Sequence, residues 1–373
     1  MIKERMDCID CGTEYCPCHL AESGECIMCS QLQGECFCDC VNWKGVCVYQ
    51  ELFNNGMKAK EGRKTYNCEV TFAEEIDEGV IMIKFIAPHK LAIDLVKPGS
   101  YIFIRTDENN FFDVPISIME SNVETDIITI VIEVRGIKTK KIKETKVGQE
   151  IVIRGPYWNG VFGLDNILKQ KEQNCLVLAR GIGMAPMMPV IRKLVTSNNE
   201  VDVFIDKAPF KDIFASEYLD KFNIFPKETN LLNKGKLSDE GKFIISQSIQ
   251  DKNISHIHLA GADILTYSVI EYLDELDRAD ITLSCCNNFK MCCGEGICGA
   301  CTARFSGHRV KRFCKLQSDP RNIFEGRRFI WRLSLLAVAG QDVQLLLVQK
   351  KQEQKFIYMK KQIYYLDLEM LAA

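Results

Sequence analysis

The chain has 373 residues, of which 47% are hydrophobic, and a formal net charge of −3. This length predicts several domains, because single cores cluster at about 100–150 residues. A charge so close to neutral gives no general attraction for nucleic acid, so nucleic acid is not an expected partner. No charge-free apolar run of about 18 residues occurs, and no apolar signal region opens the chain. We therefore expect no membrane association and a cytoplasmic location.

The first 55 residues are rich in cysteine and poor in aliphatic side chains. Ten cysteines lie there in C-x2-C and C-x-C hooks: Cys8, Cys11, Cys16, Cys18, Cys26, Cys29, Cys36, Cys38, Cys40 and Cys47. Such hooks present two sulfur ligands to one ion, and a segment with so little apolar surface needs bound metal to fold. We predict a metal-binding module over residues 1–55. Zinc and further iron–sulfur clusters fit equally well, and a metal-free, redox-labile tail is the remaining alternative.

Residues 62–160 consist of short β-rich runs separated by turn residues. The predicted strands are 65–71, 79–86, 101–105, 114–119, 127–134 and 150–154. Six such runs predict a small antiparallel β-barrel. The lysine-rich segment 138–146 is predicted to be a helical connection with a solvated face.

Strand and helix patterns alternate over residues 170–284. The predicted strands are 175–179, 201–205, 256–259 and 281–284, and the predicted helices are 185–195, 239–249 and 264–276. This alternation predicts a parallel α/β sheet.

The first strand of this sheet joins the first helix through Ala179-Arg-Gly-Ile-Gly-Met-Ala-Pro186. Glycines there allow a ligand to approach closely, and a helix N-terminus attracts a pyrophosphate. We therefore predict a dinucleotide site, with a simple tight turn as the alternative. Asp206 favours the ribose hydroxyl of NAD, whereas Lys207 and Lys211 suit the phosphate of NADP, so the choice between the two stays open.

A second cysteine-rich segment spans residues 285–326. Four cysteines have the spacing C-x4-C-x2-C-x12-C: Cys293, Cys298, Cys301 and Cys314. The first two intervals are those of a plant-type [2Fe-2S] loop, and Gly294, Gly296 and Gly299 suit a backbone that wraps around a cluster. Zinc and disulfides are the alternatives, although zinc sites usually pair two C-x2-C hooks. We predict a [2Fe-2S] cluster on these four cysteines, with Cys292 as a spare neighbour.

The order of barrel, G-I-G-x-A-P turn and four-cysteine loop resembles the electron-transfer subunit of dihydroorotate dehydrogenase, within the ferredoxin-NADP reductase superfamily. Small subunits of bifurcating transhydrogenases and sulfide dehydrogenases look equally similar. Val114-Pro-Ile-Ser117 matches the R-P-x-S flavin motif with Val in place of Arg, and Lys138-Thr139 departs from a G-T pair. Gly155-Pro-Tyr-Trp-Asn-Gly-Val-Phe162 resembles the G-P-x-G-N-G-F turn, and Ala179-Arg180 replaces two glycines of a G-G-G-I-G loop. The resemblance covers about residues 62–326.

This resemblance implies FAD between the barrel and the nucleotide domain, and electron transfer from NAD(P)H through FAD and a [2Fe-2S] cluster to a partner flavoprotein or ferredoxin-type protein. It implies an NAD(P)H-dependent flavoprotein oxidoreductase that works in a hetero-oligomer and needs no catalytic side chain. The implied cofactor contacts are Val114, Pro115, Ile116, Ser117, Ile132, Glu133, Val134, Lys138, Thr139, Gly181, Gly183, Met184, Pro186 and Gly261. Two alternatives are a free-standing ferredoxin-NAD(P) reductase or bifurcation subunit, and a zinc-stabilised adaptor on a degenerate reductase fold.

Three remaining features receive no functional role. Residues 327–373 show no clear helix caps, so no function is assigned to this tail. His256 and His258 alternate on a predicted strand and are expected to pack in the core. Cys285 and Cys286 are expected to be buried thiols.

Overall fold

The computed structural model describes residues 7–38, 43–107, 112–304 and 310–325. The chain divides into two compact units, Met1–Ile323 and Phe324–Ala373, and all the described residues except 324 and 325 belong to the first. Cys40 and the predicted tail 327–373 lie outside the described residues. Among the helices that the structure describes, none has both the length and the apolar character that crossing a membrane requires.

The N-terminal segment contains little regular structure. Its elements are β1 (Asp7–Cys8), α1 (His19–Glu22), a 3₁₀ turn (Gln31–Gln33) and α2 (Val48–Asn54). Its small core consists of Ala21, Cys26, Leu32, Val48 and Leu52, against which Cys11, Cys16, Met28 and Cys29 pack. The cysteines themselves therefore provide part of the packing of this segment.

Six strands of the middle region close into a barrel. They are β2 (Thr65–Asp77), β3 (Val80–Ile86), β4 (Tyr101–Arg105), β5 (Val114–Asn122), β6 (Ile127–Glu133) and β7 (Glu150–Tyr157), with α3 (His89–Asp94) and α4 (Ile137–Lys143) in the connections. The strand order is β2-β3-β6-β5-β4-β7, and every neighbouring pair is antiparallel. The predicted antiparallel barrel is confirmed. Alternate apolar residues such as Ile102, Ile118 and Ile130 fill its interior, as the two-residue period of a strand requires.

The next region forms a sheet covered by helices. Its elements are β8 (Val161–Phe162), α5 (Leu164–Lys169), β9 (Asn174–Arg180), a 3₁₀ turn (Gly181–Met184), α6 (Met187–Thr196), β10 (Glu200–Asp206), α7 (Ser216–Asp220), β11 (Lys227–Glu228), β12 (Leu232–Asn233), β13 (Lys236–Leu237), α8 (Asp239–Lys252), β14 (His256–Ala260), α9 (Asp263–Glu275) and β15 (Thr282–Cys286). The sheet order is β11-β10-β9-β14-β15-β8, parallel except for β8, while β12 and β13 pair separately. The predicted parallel sheet is confirmed, although its first helix begins at Met187 because a 3₁₀ turn precedes it.

The four-cysteine segment is completed by β16 (Thr302–Arg304), β17 (Val310–Arg312), β18 (Leu316–Gln317) and α10 (Pro320–Glu325). Strand β1 pairs antiparallel with β18, so that Cys8 lies opposite Leu316. The amide of Ile9 extends this pairing by donating to the carbonyl of Lys315 at 2.9 Å. The N-terminal segment is thus joined to the four-cysteine segment by backbone hydrogen bonds.

The barrel and the parallel sheet meet along two elements. Helix α6 packs against β5, and the Gly181–Met184 turn packs against β6. Arg192 of α6 also donates from Nη1 to the carbonyl of Ser121, at 3.2 Å. The strands that carry the predicted flavin motif are therefore next to the turn that carries the predicted nucleotide motif.

Candidate functional site

The four cysteines predicted to bind a cluster come together at one place. The thiol of Cys293 contacts those of Cys298 and Cys314, and Cys301 contacts Cys314. Hydrogen bonding by the Cys314 thiol lowers the pKa of Cys293 to about 4 and that of Cys301 to about 7. Cys292 is exposed to solvent and lies outside this set of contacts among the described residues. The same contacts raise the pKa of Cys314, and burial raises that of Cys298, so the four thiols share their protons. Four thiols in mutual contact suit metal binding, because cysteine binds a metal through its sulfur as the thiolate.

The cysteine loop lies against an aromatic cluster on the outer face of the barrel. Tyr101, Phe103 and Tyr157 form this cluster, and the rings of Tyr101 and Tyr157 stack at 5.1 Å between centroids. Gly294 has φ +71°, and a Cβ atom built there would lie 2.4 Å from Cε1 of Tyr157 and 2.9 Å from Cε2 of Phe103. Only glycine permits this approach. The aromatic cluster therefore forms the inner wall of the four-cysteine site.

Backbone amides point at two of the sulfur atoms. The amide of Glu295 donates to Sγ of Cys293 at 3.3 Å, and the amide of Cys314 donates to Sγ of Cys301 at 3.4 Å. Such N–H···S contacts hold thiolate ligands and tune the clusters that they bind.

The hydroxyl of Tyr101 is buried and has no hydrogen-bond partner among the described residues. Burial raises the pKa of this phenol well above its usual value, and Cys314 is among its neighbours. A buried donor left unpaired is costly, and a sulfide or thiolate of a bound cluster would pair it. The thiols, amides and hydroxyl thus fit a [2Fe-2S] cluster. No group of three or more His, Cys, Asp or Glu side chains within the described ranges has the arrangement needed to hold a metal ion as it stands.

The predicted flavin motif is split between the two faces of the barrel wall. In the β4–β5 register, Tyr101 pairs with Ser117 and Phe103 with Pro115, which places Pro115 and Ser117 on the outer face beside the aromatic cluster. The side chains predicted as contacts that instead pack in the barrel core are Val114, Ile116, Ile132 and Val134. These four can offer a ligand only their backbone atoms. Pro115 and Ser117 share the outer face with the cysteine loop.

Two further predicted flavin contacts are used locally. The Thr139 hydroxyl accepts the amides of Arg135 and Gly136 at 3.0 and 3.1 Å and donates to the Gly136 carbonyl, so it caps α4. Lys138 is exposed, and its ammonium lies 4.9 Å from the ring centroid of Phe112. A capping role follows from the position of a threonine in the first turn of a helix.

The predicted nucleotide turn is tightly packed at the carboxyl ends of β9 and β14. A Cβ atom at Gly183 would lie 2.1 Å from the carbonyl oxygen of Ala260 and 2.8 Å from the amide nitrogen of Gly261. Gly181 has φ +57°, while Met184 is buried and Pro186 is the N-cap of α6. The glycines are therefore required by strand packing, at the sheet edge where dinucleotides bind in open parallel sheets.

Asp206 is already engaged. Its carboxylate accepts Nε of Arg180 at 2.9 Å, the amide of Ala208 at 3.1 Å and the amide of Leu231 at 3.2 Å. The residue predicted to take a ribose hydroxyl is thus paired with the arginine of the predicted nucleotide turn. Neither NAD nor NADP is selected by this arrangement.

A cavity of about 540 Å³ lies between the end of β5 and α6. Met119, Ser121, Met188 and Arg192 are among its lining residues. None of the predicted flavin or nucleotide contacts lines it, so the cavity is separate from the site described above.

No family model matches the chain. Among curated proteins, it is 28% identical over 222 residues to the dihydroorotate dehydrogenase B (NAD(+)) electron transfer subunit of Clostridium acetobutylicum, covering 59% of this chain and 82% of the relative. The same subunit of Shouchella clausii is 25% identical over 268 residues, covering 70% and 96% of the two chains. The predicted resemblance is confirmed. Sulfhydrogenase 2 subunit gamma of Pyrococcus furiosus is also similar, at 26% identity over 275 residues and 68% and 93% coverage.

A solved structure shares the fold of this chain. A structure described as that of an NADH-dependent reduced ferredoxin-NADP oxidoreductase, in work on flavin-based electron bifurcation, aligns with a TM-score of 0.52. It shares 17% sequence identity and covers 69% of this chain and 88% of that chain. At this identity the likeness concerns the fold alone.

The N-terminal cysteines form two neighbouring groups. In the first, Cys16 contacts Cys11, and the surroundings of Cys26 include Cys16 and Cys18, while Cys8 lies near Cys18. In the second, the cysteines that line a small cavity of about 30 Å³ are Cys11, Cys29, Cys38 and Cys47. Cys36 is exposed. The grouping brings thiols together, and metal binding by this module stays a prediction.

Four charged residues that sequence reasoning missed lie behind the cysteine loop. Asp10, Arg63, Glu295 and Lys315 are mutually ion-paired, and the side chains of Asp10, Arg63 and Lys315 are each no more than 1% exposed. Their positions carry a weak signal, since Asp10 lies between two cysteines of a hook and Lys315 follows Cys314. Nothing in the sequence indicates that they meet.

Proposed function

We propose that this protein is a flavin- and iron–sulfur-dependent electron-transfer subunit, which moves electrons between NAD(P)H and a partner protein by way of FAD and a [2Fe-2S] cluster. The observation that carries the proposal is the gathering of Cys293, Cys298, Cys301 and Cys314 on the barrel face that also presents Pro115 and Ser117. The names of the relatives, which are electron-transfer and gamma subunits, support a hetero-oligomer with a redox partner.

Each cofactor has a position that follows from the residues present. The four cysteines would hold the cluster, the outer face at Pro115 and Ser117 would hold the flavin, and the Gly181–Met184 turn would receive the dinucleotide. When bound, FAD accepts a hydride and releases its electrons singly, which is the chemistry that links a nicotinamide to an iron–sulfur cluster. No side chain is required as an acid or a base.

One side of the four-cysteine site is buried against the barrel, and the other side is exposed to solvent. Phe103 and Tyr157 are buried, so the barrel side of the cysteine loop excludes water. Cys298 and Ile297 are exposed, and Ile297 leaves 58% of its surface in solvent. An exposed cluster ligand would let a redox partner approach the cluster closely from this side.

An anaerobic spectroscopic analysis tests the proposal. The purified protein is expected to be yellow-brown, to release about one FAD per chain on gentle denaturation, and to give a [2Fe-2S] electron paramagnetic resonance signal after reduction. Replacing Cys293 or Cys301 with serine removes or strongly alters that signal, because each supplies one of the thiolate ligands. Cys292→Ser is the matched control and keeps it.

Three outcomes contradict this proposal in different ways. Release of FMN, or of no flavin, rules out the reductase interpretation. A colourless protein that contains zinc supports an adaptor. Loss of the signal in Cys292→Ser but not in Cys293→Ser shows that the first ligand is Cys292. Copurification of a flavoprotein from native cells supports a subunit of a complex, whereas a protein that purifies without one supports a free-standing reductase.

A further inference from the structure

The ion pairs among Asp10, Arg63, Glu295 and Lys315 form a closed square. Arg63 donates from Nη2 to Oδ1 of Asp10 at 2.5 Å and from Nη1 to Oδ2 at 2.9 Å. Arg63 Nη1 also lies 2.9 Å from Oε2 of Glu295. Lys315 Nζ donates to the same Glu295 oxygen at 2.8 Å and to Oδ2 of Asp10. Each carboxylate therefore touches both cations.

The square is electrically neutral, and three of its four side chains lie out of solvent, while Glu295 is 14% exposed. Two carboxylates balance one guanidinium and one ammonium, and the Lys315 side chain has no solvent exposure. The guanidinium of Arg63 lies 4.1 Å from the ring centroid of Tyr15 and 4.7 Å from that of Tyr157, so aromatic rings cover it. Charges in such surroundings act over longer distances than surface charges, because neither water nor salt screens them.

Both arms of the cysteine loop are tied to this square. Glu295 belongs to the arm between Cys293 and Cys298, and its own amide donates to Sγ of Cys293 at 3.3 Å. Lys315 directly follows Cys314, whose amide donates to Sγ of Cys301 at 3.4 Å. Holding the two charged side chains therefore fixes the peptide segments that aim N–H groups at the sulfur atoms.

The N-terminal segment contributes Asp10, the fourth residue of the square. Asp10 lies between Cys8 and Cys11, and it reaches Lys315 across 305 positions of sequence. Ile9, its neighbour, binds the backbone of Lys315. The square of charges behind the cysteine loop is thus neutral only when the N-terminal segment supplies Asp10.

We propose that Asp10, acting with Lys315, Arg63 and Glu295, is a positioning residue that sets the reduction potential of the cluster at Cys293, Cys298, Cys301 and Cys314. The inference rests on the proposed function, since it needs a cluster at these cysteines. Reduction adds one electron to the cluster, so an uncompensated buried cation nearby favours the reduced state and an uncompensated anion favours the oxidised state. Through Asp10, the N-terminal segment controls that balance.

Opposite charge changes give opposite shifts. Asp10→Asn leaves the square with a net charge of +1 and is expected to raise the potential, while Lys315→Gln leaves −1 and is expected to lower it. Each shift should reach at least a tenfold change in the ratio of reduced to oxidised cluster at fixed ambient potential, which is about 59 mV for one electron. The double variant is neutral, and its potential should return toward that of the unmodified protein. Anaerobic redox titration followed by electron paramagnetic resonance measures the potential of the unmodified protein, of the two single variants and of the double variant.

Glu25→Gln is the matched control. Glu25 pairs with Arg312 at 2.9 Å, and Arg312 contacts the same loop at the Gly296 carbonyl, but the Glu25 side chain is 56% exposed. The same change of charge at this solvated position should leave the potential unchanged.

The outcomes separate the two proposals. If the unmodified protein gives no [2Fe-2S] signal, the proposed function fails. If the signal is normal but the two single variants shift in one direction or not at all, only the role of the square is wrong. Should the single variants bind no iron, the neutral double variant is expected to regain iron and signal, and its failure to do so overturns the inference.

Discussion

Gly294→Ala tests how the cysteine loop sits on the barrel. The residue has φ +71°, and its Cβ would lie 2.4 and 2.8 Å from two carbons of the buried Tyr157 ring. Gly299 in the same loop has φ +72°, but the nearest atom to its Cβ would be Oγ1 of Thr302 at 3.6 Å. The two glycines share the backbone strain of a substitution and differ only in the space available.

The expected cost follows from these two terms. A left-handed conformation costs a non-glycine residue about 1–2 kcal/mol, and this applies to both variants. Overpacking against buried rings adds about 1–3 kcal/mol to Gly294→Ala alone. Because 1 kcal/mol shifts Tm by about 1.5 °C in a unit as large as Met1–Ile323, Gly294→Ala should melt about 2–4 °C below Gly299→Ala.

Thermal unfolding of the as-purified proteins, followed by circular dichroism under anaerobic conditions, measures this difference. The iron content of each variant should be recorded, since loss of a bound cluster would lower Tm by itself. Equal Tm values at equal iron content would show that Gly294 does not contact Tyr157, and the placement of the loop on the aromatic cluster would then be wrong.

Three further predictions concern stability. Burial lowers the pKa of His256 and of His258 to about 3. The stability that comes from keeping these histidines neutral is therefore complete above about pH 6.5 and is lost as the pH falls toward 3, by about 1.4 kcal/mol per pH unit for each histidine. His258→Gln should make the urea midpoint less dependent on pH in that window. Asn159→Ala removes hydrogen bonds of 2.7 and 2.9 Å to two backbone carbonyls of segment 313–316 and should cost about 1–3 kcal/mol in urea denaturation. Arg180→Leu leaves the buried carboxylate of Asp206 without its guanidinium partner and should lower the unfolding free energy by about 1–3 kcal/mol. The control is Lys207→Gln, which removes a more exposed ion pair with Glu228 and should not cause this loss.

The barrel, the parallel sheet and the meeting of the four cysteines could be predicted because each depends on a local pattern. Short β-rich runs between turn residues marked the barrel strands, and the alternation of strand and helix patterns marked the sheet. The C-x4-C-x2-C spacing identified the cysteines that gather, and the choice of Cys293 rather than Cys292 as the first ligand stays a prediction. Cys314 is distant in sequence, yet β17 ends at Arg312 and returns the chain to the loop.

Side-chain orientation and partner choice could not be predicted from these patterns. The motif Val114-Pro-Ile-Ser117 alternates between the two faces of β5, and the residues that pair with it on β4 decide which face is outside. Thr139 caps a helix, and Asp206 is occupied by donors that include the amide of Leu231, 25 positions away. Such contacts depend on the packing of distant segments, for which a single sequence carries no periodic signal.

The N-terminal segment shows most clearly where local reasoning stops. Its cysteine hooks predicted a module stabilised by its own metal, but β1 pairs with β18 and Asp10 completes a square of buried charges. Burying Asp10, Arg63 and Lys315 is tolerable only when each is paired, because removing a single partner leaves an uncompensated buried charge that costs about 3–5 kcal/mol. Arg63 of the chain leading into the barrel and Lys315 of the cysteine segment therefore depend on Asp10 as much as Asp10 depends on them. The segment is part of the four-cysteine site as well as a candidate site in its own right.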